Sequence, residues 1–394
     1  MSGCLKFGFH PIPKHPKTHE YDKMKPHLFI HIGTHKTGST AIQRALKAGE
    51  DECLNEGLVR LGCDKFLVRP NWNQKERGEL VSWLRGQIDR HRGKAHRFLV
   101  SSEGFSGDPM TGYADAPAIA SQLREVTRDF DVSIIVFLRR QDDFVESLYT
   151  QKVHDGSSMT FQEFLEELHP EEMNWHRLLD SYAGEFGRES IIARRYHRDY
   201  YPNIEDILVD FCGMVGVAPE VLKGRLKTVR NQGFSMEAVE LARLCNPRLD
   251  GDLRKQLRQM LQVISAKPVF QSYAYFDLQA RQQLLAAHEE TNAKVRRDYI
   301  REQNAEPLFP EPDKSAAVSR AVEDEALSVV LVKMLLERKK AEDRSGILRF
   351  VMRLERRWHE FLQSLFRAQS RDVANLKEPE RLPNRKAQML KAKV

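Results

Sequence analysis

The chain has 394 residues, 41% of them apolar and 30% charged, with a formal net charge of +6. This is the composition of a globular protein long enough to bury a substantial core. From Ser315 onward 18 Lys and Arg face 11 Asp and Glu, an excess of 7 that leaves the rest of the chain near neutral. A near-neutral body argues against a general nucleic-acid binder, which needs a broad basic footprint. No apolar run approaches the ~20 residues that a membrane-spanning helix requires.

Residues 1–26 carry four prolines and no periodic apolar pattern, so they read as a flexible or weakly docked arm. They lack the apolar core and small-residue cleavage site of a secretory leader, and the expected location is cytoplasmic. The five cysteines, Cys4, Cys53, Cys63, Cys212 and Cys245, have no metal-ligand spacing and fit reduced thiols in that setting. A β-rich run follows over His27–Ile32, then a loop over Gly33–Gly38 and a helical pattern over Ser39–Ala48. Another helix is predicted within Lys75–Arg92. The short apolar runs Arg97–Ser101 and Val132–Leu138 read as buried parallel strands, each followed by a helical segment, the second over Asp142–His154. Asn174–Phe186 reads as helix, Ser190–Tyr196 as strand and Asn203–Val215 as helix. Beyond Asp250 the chain is mostly helical, interrupted at Lys267-Pro268 and over Glu306–Lys314.

Strand, loop and helix alternate, which predicts an α/β fold: a P-loop-type parallel β-sheet flanked by helices, with a mostly helical C-terminal extension. The division expected is an arm over 1–26, a catalytic domain over 27–312 and a basic helical extension over 313–394. In such sheets ligands bind at the carboxyl ends of the strands. Gly33, Glu103 and Arg139 all stand at strand ends, so three strands point their chemistry at one rim.

The loop Gly33-Thr34-His35-Lys36-Thr37-Gly38-Ser39-Thr40 joins a strand to a helix. Its glycines let the backbone curl so that successive N–H groups converge on an anion at the helix N-terminus. Lys36 adds a point charge, and Ser39 and Thr40 add hydroxyl donors. A nucleotide-hydrolysing loop places its lysine directly after the second glycine, where this chain has Ser39. The strand that would supply a magnesium-binding aspartate ends instead in Arg139, and no metal is called for.

The run Ile32-Gly33-Thr34-His35-Lys36-Thr37-Gly38-Ser39-Thr40-Ala41-Ile42-Gln43 resembles the 5′-phosphosulfate loop of sulfotransferases that use 3′-phosphoadenosine 5′-phosphosulfate (PAPS). A second signature of that family is a strand-end arginine followed eight positions later by a helical serine, matched here by Arg139 and Ser147. A planar guanidinium with a helical hydroxyl beside it suits a 3′-phosphate. Members often have Arg-[Asp/Asn]-Pro here, and this chain has Arg139-Arg140-Gln141. The resemblance, of bacterial and carbohydrate-type members above all, extends over roughly 27–312. It implies that Lys36, Thr37, Gly38, Ser39 and Thr40 wrap the 5′-phosphosulfate and that Arg139 and Ser147 hold the 3′-phosphate. Lys223-Gly224-Arg225 resembles a further donor-contact loop and brings Arg225 into the set. Val229–Ser235 resembles a segment of bacterial members.

The activity so implied is transfer of a sulfuryl group from PAPS to an acceptor hydroxyl. Lys36 would stabilise the departing 5′-phosphate and Glu103 would take the acceptor proton, with His35 as the other candidate base. A sugar hydroxyl on a glycan or glycolipid is the favoured acceptor. Two other readings share the loop: a small-molecule or nucleotide kinase, and a nucleotide-binding module without catalysis. In the extension, Ile347, Phe350, Val351, Leu354, Trp358, Phe361, Leu362 and Leu365 recur at helical spacing, with Arg349, Arg353, Arg356, Arg357 and Arg367 beside them. Such a stripe packs on protein, on the catalytic domain or a second subunit, or lies peripherally on an anionic membrane.

Overall fold

The computed structural model describes residues 25–62, 72–225, 235–265, 273–300 and 307–312, with Gly233, Lys267, Val330, Leu331 and Met334. The chain divides into two compact units, Met1–Val330 and Leu331–Val394. The N-terminal arm, most of Val229–Ser235 and the stripe at 347–367 lie outside the described residues. Among the described residues no helix is long and apolar enough to cross a membrane.

In the first unit the elements run β1 (His27–Gly33), α1 (Ser39–Ala48), α2 (Glu50–Asn55), β2 (Leu58–Arg60), α3 (Gln74–Arg90) and β3 (Arg97–Ser101). Next come α4 (Ala116–Val126), β4 (Asp131–Leu138), α5 (Gln141–His154), α6 (Phe161–Leu168), α7 (Trp175–Phe186) and β5 (Ile191–Arg195). The described part ends with α8 (Ile204–Val215), α9 (Met236–Cys245), α10 (Gly251–Ile264), α11 (Leu278–Ala287) and α12 (Glu289–Tyr299).

The strands form one five-stranded sheet in the order β2-β3-β1-β4-β5, with every neighbour parallel. Helices flank it, as the alternation of elements predicts. Alternate strand residues serve opposite faces. Phe29, Leu99 and Phe137 join Ile42 and Leu46 of α1 and Phe211 of α8 in one core cluster. The opposite face, with Leu28, Ile30 and Val136, is equally buried. There α7 packs on β4 and β5 and also on α4. Burial on both faces explains the continuous apolar runs of β1 and β4. Strand β2 has no such signature, because three residues at a sheet edge are too few to set a period.

Several helix starts are set by local side chains. Asn73 with Glu76, Thr160 with Glu163 and Asn203 with Asp206 form reciprocal capping boxes at α3, α6 and α8. Helix α5 differs, for Gln141 through Thr150 are all buried. It leaves the carboxyl end of β4 and packs under α9 and α11.

The topology creates the rim. From β1 the chain runs outward to β2 and returns to β3, whereas from β4 it runs to β5 on the other side. Connections that diverge from neighbouring strands leave a crevice beyond their carboxyl ends. The register against β4 shifts between His31 and Gly33, and beyond the shift Gly33 and Thr34 stay bonded to β4.

Candidate active site

The loop after β1 is held in a tight curl. Gly33, Lys36 and Gly38 have φ of 89°, 63° and 84°, all in the left-handed region. For the two glycines this costs little, while for Lys36 it is a strained position kept by its surroundings. The Thr34 N–H and hydroxyl both donate to the Phe137 carbonyl of β4, at 3.2 and 3.0 Å. The Thr37 hydroxyl donates to the Thr34 carbonyl at 2.6 Å. Those two buried threonines therefore brace the loop from within. Ser39 is the counter-example: its Oγ is buried and has no hydrogen-bond partner. An orphaned hydroxyl at the first turn of a helix, beneath a curled loop, fits an anion seated there.

Glu103 opens a short turn after β3, over Glu103–Ser106, fastened by the Ser106 hydroxyl donating to the Glu103 carbonyl at 2.7 Å. Its side chain lies against Gly33. A Cβ added at Gly33 would stand 3.3 Å from Glu103 Cγ and 3.5 Å from Ser39 Oγ. The bare glycine thus brings the carboxylate stem up to the loop, which a larger residue would push away.

Arg139, at the end of β4, donates from Nη1 to the Lys36 carbonyl at 3.1 Å. Its guanidinium stands 5.8 Å from the centre of the Tyr196 ring, and its carbonyl accepts from Trp175 Nε1 at 2.9 Å. Tyr196 also abuts Gly38, so one ring touches both the arginine and the loop. Lys36 Nζ donates to Gln151 Oε1 at 3.1 Å. Gln151 is four positions after Ser147 on α5, hence on the same helical face. Burial first, and then the charge of Arg139, push the Lys36 amine down to about 8 despite the opposing pull of Glu103.

His35 is fastened rather than poised. Its Nδ1 is 3.2 Å from the Tyr113 hydroxyl, and its backbone N–H donates to the same oxygen at 3.4 Å. Burial holds its pKa below the ordinary histidine value, against the pull of Glu103, Asp108 and Asp115.

The structure therefore brings Lys36, Glu103 and Arg139 to one rim. Thr37, Gly38 and Ser39 form the curl, and Thr40 is exposed beyond it. Ser147 is buried on α5, the helix whose Gln151 takes the Lys36 amine. Arg225 is not with them. Its guanidinium is tied to Glu52 and to the carbonyls of Ala48 and Val221, at the C-terminal end of α1. That is ~15 Å of helix away from the loop.

Sequence reasoning passed over Gln151, Tyr113, Tyr196 and Trp175. Helical spacing from Ser147 is a signal that leads to Gln151. The aromatics carry none, because Tyr113 and Trp175 meet only through the fold, at 6.0 Å between ring centres. A 280 Å³ cavity adjoins the rim on the β3 side, lined by Thr40, Gln43, Arg44, Arg60 and Ser101 among others.

No protein-family model and no curated protein matches the chain. Solved structures do. A sulfotransferase from Alicyclobacillus acidocaldarius matches at 15% identity over 61% of this chain and 92% of its own, with a TM-score of 0.35. The sulfotransferase domain of the Synechococcus PCC 7002 olefin synthase matches at 16% identity over 66% of this chain and 93% of its own, with a TM-score of 0.30. The sulfotransferase domain of the curacin biosynthetic pathway matches at 16% identity over 67% and 97%, with a TM-score of 0.31. Similarity of this degree carries no argument about activity.

Proposed function

We propose that this chain is a PAPS-dependent sulfotransferase acting on an acceptor hydroxyl. The observation that carries the proposal is the pairing of two phosphate-recognition elements: the Arg139 guanidinium bonds the Lys36 carbonyl at the curl that shelters the unpartnered Ser39 hydroxyl. One end of a bisphosphorylated nucleotide then meets Lys36 through Thr40, and the other meets Arg139 and Ser147.

In the step itself the acceptor oxygen attacks sulfur as the bond from sulfur to the 5′-phosphate oxygen breaks. The acceptor proton passes to the Glu103 carboxylate. The electron pair leaves on the 5′-phosphate, whose added charge Lys36 stabilises. In this reading His35 is a packed residue of the loop, its ring held against the Tyr113 hydroxyl. Acceptors enter from the β3 side, where Glu103 stands. A glycan or glycolipid hydroxyl remains the favoured acceptor, with the basic extension a peripheral membrane contact or a packing element.

Calorimetry tests the donor. Without magnesium, adenosine 3′,5′-bisphosphate should bind at least tenfold more tightly than adenosine 5′-phosphate. Equal affinities would overturn the assignment. The kinase reading needs a carboxylate to hold magnesium past β4. Asp142 and Asp143 stand there, but both face Arg140 and Arg281 in ion pairs. Transfer of labelled sulfate from PAPS to an acceptor extract separates sulfotransferase, kinase and non-catalytic module.

A further inference from the structure

Lys36 and Gln151 stand 115 residues apart, and the fold brings the Lys36 amine to 3.1 Å from the Gln151 side-chain oxygen. At its other end the same amide donates from Nε2 to Asp155 Oδ1 at 2.8 Å. Asp155 follows the last turn of α5. Its backbone N–H donates to the Gln151 carbonyl at 2.9 Å, and Arg258 of α10 stands 3.8 Å from its carboxylate. An ammonium group only donates and a carboxylate only accepts, so the amide has one orientation, its oxygen turned to the lysine. The Gln151 side chain is thereby held at both ends.

The partner so presented to Lys36 is neutral. Among the described residues this amide is the hydrogen-bond acceptor of the Lys36 amine, while Glu103 and Asp155 act on it as more distant charges. A carboxylate in place of the amide would pair with the ammonium and cancel its charge, and an incoming phosphate would have to displace it. An apolar side chain there would leave a desolvated ammonium with no acceptor, which favours the uncharged amine. An amide oxygen avoids both outcomes. It fixes the direction of the ammonium and leaves its charge for an anion.

We propose that Gln151 is the positioning residue of Lys36, holding the ammonium at the rim with its charge unneutralised until the 5′-phosphosulfate of the donor arrives. The proposal rests on the donor reading above for the identity of the anion. For the rest it stands on the two contacts of the Gln151 amide, with Lys36 at one end and Asp155 at the other. Gln151 acts through Lys36 and needs no contact of its own with the donor.

Two substitutions at this one position should move Lys36 in opposite directions. Carbon-13 NMR of the Lys36 Cε in lysine-labelled protein, assigned through its loss in Lys36→Met, follows the titration in the free chain. The wild-type midpoint should lie near 8. It should rise in Gln151→Glu, where an opposite charge favours the ammonium, and fall in Gln151→Met, where the acceptor is lost. Calorimetry at pH 7 with adenosine 3′,5′-bisphosphate should find Gln151→Glu roughly tenfold weaker than wild type, since its carboxylate competes with the phosphate for the lysine. In Gln151→Met the affinity should begin to fall at a lower pH than in the wild-type chain. A merely structural role for Gln151 would loosen α5 in both variants and would not split the midpoints in opposite directions. Midpoints unmoved in both variants, or wild-type affinity for the bisphosphate in Gln151→Glu, would overturn the proposal and leave the donor reading intact. If the wild-type chain binds adenosine 5′-phosphate as tightly as the bisphosphate, the donor reading fails, and inorganic pyrophosphate becomes the probe. Weaker pyrophosphate binding by Gln151→Glu, alongside the split midpoints, would then keep Gln151 in its role, and equal binding would end it.

Discussion

Lys36 combines a left-handed backbone, a desolvated amine and a neighbouring guanidinium. Each is unfavourable in the free protein, and each is offset when an anion is seated in the curl. The ammonium form is the one that attracts a phosphate. Because its amine titrates near 8, affinity for adenosine 3′,5′-bisphosphate should fall as pH rises past that value. Calorimetry between pH 7 and 9.5 checks this, and Lys36→Met should flatten that part of the profile. The sign for stability is opposite. The folded pKa lies below the ordinary lysine value of 10.5, so between about 8 and 10.5 the unfolded chain holds a proton that the folded chain lacks. The unliganded protein should therefore gain stability with pH across that window, and Lys36→Met should remove the gain in thermal melts. Glu103 calls for a different measurement. Glu103→Gln should keep the affinity for the bisphosphate within about twofold and lose roughly 10²–10⁴ in turnover, the usual size of a general-base contribution. Turnover at the wild-type rate in that variant would move the base elsewhere.

Helix α5 is the element on which the site depends most. It carries Gln151 to the lysine, with Ser147 one turn before it on the same face, and on its other side it is pinned by charge. Arg140 bonds Asp142 through Nε at 2.7 Å, and Arg281 of α11 reaches both Asp142 and Glu146 at 2.6 Å. All of these groups are buried. Removing one side of such a network leaves a charge in a low-dielectric setting with no partner, which costs about 3–5 kcal/mol. Arg281→Met should lower the unfolding free energy from denaturant titration by that amount and weaken bisphosphate binding, since α11 would no longer hold α5. Loss of stability at unchanged affinity would show that the ends of α5 are positioned by β4 alone. The Arg140–Asp142 pair stands at the first turn of α5. The arginine fixes the turn through a carboxylate two residues on.

At the scale of the molecule, every residue assigned to the donor or to the chemistry falls in the unit Met1–Val330. The basic excess falls after Ser315. A chain ending near Lys340 should therefore bind adenosine 3′,5′-bisphosphate as the full chain does. Co-sedimentation with anionic liposomes at low salt should be confined to the full chain, because a stripe of apolar residues flanked by arginines is what such surfaces attract. Full-chain protein that ignores those liposomes would leave the extension as a packing or oligomerisation element.

The sequence by itself determined the parallel sheet and the curl. Both are local: β1 and β4 announce themselves as continuous apolar runs because both faces are covered, and Gly33 and Gly38 mark positions where the backbone turns left-handed. Strand ends follow from strands, so Lys36, Glu103 and Arg139 could be assigned to one rim before any contact was known. Only the tertiary structure decided which charges actually gather there. Arg225 sits in a Lys-Gly-Arg pattern yet pairs with Glu52 of α2, and Lys267 carries no pattern at all yet stands over the Tyr273 ring. Periodicity reports what a residue's own turn or strand requires. The company a charge keeps depends on how segments more than a hundred residues apart pack together, and no local pattern records that.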